Sequence, residues 1–185
     1  MSSSSPEGRL LLDEPAPNVA RLVIFNPAKR GALDQAILDR FAELMPTLTA
    51  RCVIITGQER NFSAGYDIGG LPEVAPGADA QQIVAHPFAA ALDAIEAYPY
   101  PTIAALNGHT IGGGLELALS CDLRLASEAI KLGMPPAKLG LVYSHTGIKK
   151  FVDAIGAPRT RELFFLGSTI DAETARDWGL VNRIV

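Results

Sequence analysis

Three consecutive glycines, Gly112-Gly113-Gly114, stand between an apolar strand-like run, Thr102–Leu106, and an apolar helix-forming stretch, roughly Gly114–Cys121. A strand and a helix that are apolar nearly throughout both need cover, so a chain built this way folds in layers, with helix packed on sheet. Glycines at the join also leave the first N–H groups of the helix bare. Such groups favour an anion, whether a bound phosphate or an oxyanion that forms during a reaction. The segment fits neither the dinucleotide nor the P-loop fingerprint, which removes the commonest nucleotide readings.

The strand, loop, helix order recurs along the chain. Arg9–Leu12 and Val19–Phe25 flank the turn-forming Pro15-Ala16-Pro17-Asn18 and predict an opening antiparallel hairpin. Asp34 suits the cap of a helix with Ile37, Phe41, Leu44 and Leu48 at helical spacing, which Pro46 ends or kinks near Met45. Cys52–Thr56 is a strand. Ala80–Tyr98 reads as a helix interrupted near Pro87, and Pro99 and Pro101 bracket its stop. Asp122–Ala126 and Ile130–Leu132 are further strands, and Thr146–Ile155, Pro158–Leu166 and Asp171–Trp178 three helices, the last capped by Asp171 and stopped at Gly179. The chain ends on Val181–Val185. No linker divides it, so residues 1–8 are expected to form a disordered start and 9–185 a single α/β domain of repeated ββα-like units.

Charge narrows the partners. Sixteen Lys and Arg against twenty Asp and Glu give a net charge of -4, which speaks against a nucleic-acid or anionic-membrane partner and leaves any anionic ligand to local groups. No apolar run approaches the roughly 18–20 residues of a membrane span, and Met1–Arg9 lacks the apolar core of a secretory signal, so a cytoplasmic protein is expected. Cys52 and Cys121 lie in apolar stretches and read as buried, reduced thiols. His86, His109 and His145 lack metal-ligand spacing and form no Ser-His-Asp order, so no metal is expected.

Two segments carry candidate chemistry. One is the strand Val53–Gly57 with the small-residue loop Asn61–Ile68 after it; the other is Asn107–Glu116. Small residues let backbone approach a ligand closely. Glu116 stands in the first turn after the glycines, with Leu119, Ser120 and Leu123 as its helical neighbours, so a carboxylate sits on a mostly apolar face. Two readings remain open for it. It complements the helix dipole or pairs with Arg124 or Lys131, or it is a dry carboxylate whose pKa desolvation raises toward proton-transfer duty.

In this order, FSAGYDI, NGHTIGGGLELALSCDLRLAS and LGMPPAKLGLVYSHTG resemble the crotonase superfamily, also called the enoyl-CoA hydratase/isomerase family, over about Val19 to Val185. The resemblance implies the ClpP/crotonase fold, a crotonase-like spiral of ββα units. Family members continue past the position of Val185 into C-terminal helices, a part that this chain would lack. It further implies an acyl-CoA substrate whose thioester enolate rests in an oxyanion hole made by the backbone N–H groups of Tyr66 and Gly113. No separate cofactor is implied, since coenzyme A enters as the thioester carrier. By the same resemblance Asn26–Leu33 lines the CoA nucleotide pocket: Lys29 and Arg30 meet phosphate, and Ala28 and Ala32 stand beside it. Ala64 and Ile68 flank the adenine and pantetheine, Asp67 steadies the loop, and Gly31 stands where the family usually has Asn. A homo-oligomer, trimer or hexamer, is implied as well.

The reaction turns on position 136. Hydratases of the family share water activation and proton delivery between a glutamate at Glu116 and a second acid twenty positions on, where this chain has Pro136. Met134–Ser144, with Pro136 and Tyr143, more closely resembles the methylmalonyl-CoA decarboxylase branch, which has His in place of Tyr66. Decarboxylation generates the enolate without a base, so a lyase acting on a 2-carboxyacyl-CoA is expected, with Tyr143 orienting the departing carboxylate. The alternatives are a hydratase or isomerase that works through Glu116 alone, and a non-catalytic scaffold or RNA-binding relative. The acidic composition opposes the last.

Overall fold

β1 (Arg9–Ala16) and β2 (Val19–Phe25) form the predicted antiparallel hairpin, turning at Asn18 with a left-handed φ of 62°. β1 runs on to Ala16, through Pro15, because it is the exposed edge of its sheet and one side of it needs no hydrogen-bond donor. In this computed structural model the backbone is described for residues 8–67 and 79–185 and the side chains for 8–67 and 88–185. α1 (Gln35–Leu44) starts where Asp34 Oδ1 accepts the Ile37 N–H at 3.0 Å, and a 3-10 turn at Met45–Thr47 ends it, leaving Leu48 extended.

From there successive strands enter different sheets. β3 (Cys52–Thr56), β5 (Thr102–Leu106), β7 (Leu123–Ala126) and β10 (Arg183–Ile184) extend the hairpin into a six-stranded sheet, ordered β1-β2-β3-β5-β7-β10 and parallel beyond β2. β4 (Asn61–Ser63), β6 (His109–Ile111), β8 (Lys131–Gly133) and β9 (Thr169–Asp171) make a second sheet in that order, with only β8 and β9 antiparallel. The other helices are α2 (Asp79–Glu96), α3 (Gly113–Leu119), α4 (His145–Leu166) and α5 (Ala172–Trp178). Each pass is therefore strand, strand, helix: β3-β4-α2, β5-β6-α3, β7-β8-α4. A parallel sheet needs a crossover between neighbouring strands: the β2–β3 crossover carries α1 and no strand, and the later ones carry strands of the second sheet as well as helices. This is the expected ββα repeat.

The core lies between the sheets and the helices. Leu22, Ile24, Val53, Ile55, Ala104 and Leu106 alternate inward along the large sheet and meet Ile37, Phe41, Leu92 and Ile95 from α1 and α2. Five elements differ from the sequence reading. β4, β6 and β9 are only three residues each, too short to show a period-2 pattern, and were expected as loops or helix flanks. α2 runs across Pro87 as one helix rather than breaking there, its later half anchored by buried Ala91, Leu92 and Ile95. α4 is continuous in hydrogen bonding but takes φ 75° and ψ 160° at Gly156, a kink that falls between the two helices predicted from Thr146–Ile155 and Pro158–Leu166. Among the described residues no helix is long and apolar enough to cross a membrane.

Candidate active site

The two small-residue segments meet where β4 and β6 end. Leu33 and Tyr66 form an isolated parallel bridge, in which the Leu33 N–H donates to Gly65 O at 2.8 Å and the Asp67 N–H to Leu33 O at 3.0 Å. The peptide joining Gly65 and Tyr66 is trans and planar, so with its carbonyl turned to Leu33 its N–H points the opposite way. Gly65 takes φ 99°, which a residue with a side chain rarely adopts. On the other side, the Gly112 N–H is held by Gly133 O at 2.8 Å, and Gly113 opens α3 with its own N–H outside the helix. Neither the Tyr66 N–H nor the Gly113 N–H has an acceptor among the described residues. The two lie side by side: a Cβ added at Gly113 would stand 3.3 Å from the Tyr66 nitrogen and 3.2 Å from Phe88 Cζ. Two free backbone donors at one point can hold an oxygen that gains negative charge.

Glu116 follows one turn into α3 and is 3% exposed. Burial pushes its carboxyl up to about 7, and a hydrogen bond from the Tyr143 hydroxyl to Oε2 opposes that rise only in part. The ion pair with Arg124 that the sequence offered for Glu116 does not form. Arg124 turns its guanidinium to Leu180 O and Cys121 O, each at 2.8 Å, and the partner of Glu116 is Tyr143, 27 positions later. The Tyr143 ring packs edge-on against Phe164 (5.4 Å between centroids), which packs likewise on Phe151. Gly147 completes the fit, since a Cβ there would lie 2.6 Å from Tyr143 Cε1 and 2.7 Å from Glu116 Oε1. Ser144 caps α4 by accepting the Gly147 N–H at 3.1 Å, and Lys150 ties that helix to α3 and α2 through Ser120 Oγ (3.0 Å) and Glu96. Pro136 is buried in the 3-10 turn that precedes Tyr143.

The segment expected at the CoA nucleotide lies along the Gly65 loop. Pro27–Lys29 is a 3-10 turn, with Ala28, Lys29 and Arg30 exposed, while Ala32 is buried and its carbonyl takes a 2.9 Å hydrogen bond from the Asn26 amide. Lys29 Nζ reaches Asp67 Oδ2 at 2.5 Å, an ion pair between the turn and the loop. Ala64 is exposed beside this turn, its N–H bonded to Arg30 O. Ile68 and the loop Gly70–His86 fall outside the described side chains. His109 accepts the Lys131 N–H on Nδ1, a contact between strands, and His145 is exposed at the start of α4. Cys121 is buried as expected and Cys52 half-buried.

One contributor, Phe88, escaped the sequence reading, and Asn26 entered it only as part of the Asn26–Leu33 segment. Phe88 stands beside Gly113 with its ring edge-on to Tyr66, 6.5 Å between centroids, and Asn26 is a buried amide that closes the Pro27–Ala32 turn. An aromatic inside an ambiguous helix carries no marker of its own. The asparagine before Pro27 did carry a turn signal.

Fold and site together define an α/β spiral with two free backbone donors at one point and, among the described residues, one buried acid. The family model for enoyl-CoA hydratase/isomerase matches residues 14–185, and the chain belongs to that family. It is 35% identical over 168 residues to a probable enoyl-CoA hydratase of Bacillus subtilis, which covers 89% of the chain and 64% of the relative. A probable enoyl-CoA hydratase of Mycobacterium tuberculosis is 34% identical over 179 residues, covering 95% of this chain and 68% of that one. The crystal structure of an enoyl-CoA hydratase/isomerase family protein from Hyphomonas neptunium superposes with a TM-score of 0.87 at 34% identity, over 95% of this chain and 69% of that one. The chain thus spans about two thirds of the length of the relatives it matches.

Proposed function

We propose that this chain processes acyl-CoA thioesters, holding the enolate oxygen between the N–H groups of Tyr66 and Gly113 and completing the reaction with one proton from Glu116. The observation that carries this is the buried Glu116 held by the half-buried Tyr143 beside two free backbone donors, with a proline in the place of a second acid. Coenzyme A is the carrier of the substrate and no further cofactor is part of the reading. A homo-oligomer, trimer or hexamer, belongs to it too, supported by the exposed apolar side chains of Leu139, Leu141, Val142, Phe165 and Leu166 around the Tyr143 end of the site.

The proton count favours decarboxylation of a 2-carboxyacyl-CoA. The bond from the α-carbon to the carboxylate breaks, its electron pair enters the thioester enolate, carbon dioxide leaves, and a single proton returns to the α-carbon. One acid whose pKa is raised to about 7, and which is therefore half protonated at that pH, supplies that proton. In this reading the Tyr143 hydroxyl orients the departing carboxylate and passes the proton on from Glu116. Hydration of an enoyl-CoA is the second reading, favoured by the names of the relatives; there Glu116 must take a proton from water and deliver one to carbon by itself.

Mass spectrometry of the CoA products after incubation with methylmalonyl-CoA, malonyl-CoA and crotonyl-CoA separates the two. Carbon dioxide loss from a carboxylated thioester, weakened in Tyr143→Phe, is the expected result. Water addition to crotonyl-CoA, with the carboxylated substrates untouched, replaces decarboxylation by hydration. No turnover of any of them leaves the scaffold alternative standing.

A further inference from the structure

α4 meets α3 at two points, and only one of them resists sliding. At the first, Gly147 comes so close that a Cβ there would stand 2.7 Å from Glu116 Oε1. A glycine lets two helices approach but offers no side chain to interlock, so it leaves their register open. At the second, one turn further along both elements, Lys150 Nζ donates to Ser120 Oγ at 3.0 Å. The Ser120 hydroxyl in turn donates to Glu116 O at 3.3 Å, so the anchored residue belongs to the acid's own turn. Lys150 also pairs with Glu96, the last residue of α2, and is attracted by Asp93 one turn before it. Its ammonium therefore sits where α2 and α3 both end, at the negative pole of each. The Lys150 side chain is 20% exposed, whereas that of Lys149 is 70% exposed and pairs along its own helix with Asp153. Tyr143 immediately precedes the Ser144 cap, so a slide of α4 moves its hydroxyl relative to Glu116.

We infer that Lys150 is a positioning residue: by pinning α4 to the ends of α3 and α2 it sets the register at which the Tyr143 hydroxyl meets Glu116. The inference deepens the proposed function, in which Glu116 is the proton donor, and rests on it for its catalytic meaning. Lys150 acts through place and not through its field. Burial and the Tyr143 hydrogen bond set the pKa of Glu116, with no charged side chain among the causes.

The test is a ¹³C NMR titration of chains labelled at the glutamate side-chain carboxyl, the Glu116 signal being the one lost in Glu116→Gln. Without its anchor the Tyr143 hydrogen bond weakens, and since that bond favours the ionised carboxyl, Glu116 titrates higher. Lys150→Met, which keeps the packed stem, and Ser120→Ala each raise the midpoint by roughly one pH unit, the worth of one such hydrogen bond. Lys150→Arg keeps the wild-type midpoint. In a Tyr143→Phe background Lys150→Met adds nothing further. Lys149→Met, which removes the same charge from the same helix, leaves the midpoint unchanged. With a thioester that the wild-type chain turns over, Lys150→Met lowers kcat, leaves KM in place and moves the pH–rate limb with the midpoint. The inference is overturned if Lys150→Met titrates like the wild type, if it shifts the midpoint equally in the Tyr143→Phe background, or if Lys149→Met matches it. A chain that titrates as expected but turns over none of the three thioesters upholds the placement and overturns the proposed function instead. Melting curves check the fold of each variant, and Ser120→Ala, the smaller change, carries the test if Lys150→Met unfolds.

Discussion

Glu116 shows what a single buried residue does to the behaviour of a protein. Its folded-state pKa of about 7 lies above the unfolded value of 4.5, so between those limits the native chain holds a proton that the unfolded chain releases. Stability therefore falls as pH rises through that window, by roughly 3 kcal/mol in all, and the deficit is complete above it. Glu116→Gln is expected to flatten this slope: its urea midpoint should change far less between pH 5 and pH 8 than that of the wild type. On the proposed function, activity is expected to carry the same signature. With Glu116 as proton donor the rate declines as pH rises through about 7, and the Tyr143 hydrogen bond is what holds that limb down by favouring the ionised carboxyl. Tyr143→Phe should move the limb to higher pH in a pH–rate profile, besides slowing the reaction. The carboxylate on an apolar face was visible in the sequence; Tyr143 as its partner was not, since their pairing depends on α4 folding back over α3.

Among the elements, α4 is the one whose local sequence and tertiary role agree most closely. Gly156 breaks the helical dihedrals while Pro158 starts the second arm, so Phe151 and Phe164 from the two arms come into edge contact behind Tyr143. A Cβ at Gly156 would meet nothing nearer than Pro158 Cδ at 3.8 Å, which means that the demand for glycine comes from the backbone and not from crowding. Gly156→Ala should cost about 1–3 kcal/mol of stability, the strain of an ordinary residue in that conformation, read as a lower melting temperature. The caps at Asp34 and Asp171 and the stop at Gly179 were equally legible, whereas Ser144 and Gly167 were not read from the sequence. Asp34, Ser144 and Asp171 each accept an N–H three residues on, and Gly167 and Gly179 stop their helices in the left-handed region. The three-residue strands β4, β6 and β9 were not legible, because hydrogen bonds to distant neighbours define them and no pattern of their own does.

At the scale of the whole molecule, the alternation between two sheets carries each helix start to the same side and stacks the β4 and β6 ends against one another. The donors of Tyr66 and Gly113 belong to successive ββα passes and meet only because those passes are in register. The same stacking leaves Val142 75% and Phe165 73% exposed, on segments that touch through Tyr143 and Phe164. Apolar groups of that size in water favour association. Sedimentation of the wild-type chain should show species larger than a monomer, and Phe165→Asp should shift the distribution toward the monomer without loss of fold.

By itself the sequence determined the layered ββα plan, the helix limits, the glycine loops and the presence of an acid on an apolar face, because hydrophobic period, caps and small residues act within a few positions of one another. Only the tertiary structure decided that Tyr143 holds Glu116, that Lys29 turns to Asp67, and that the Leu33 N–H sets the direction of the Tyr66 N–H. Those contacts join residues tens of positions apart, and their geometry follows from how the repeats stack, which no local pattern encodes.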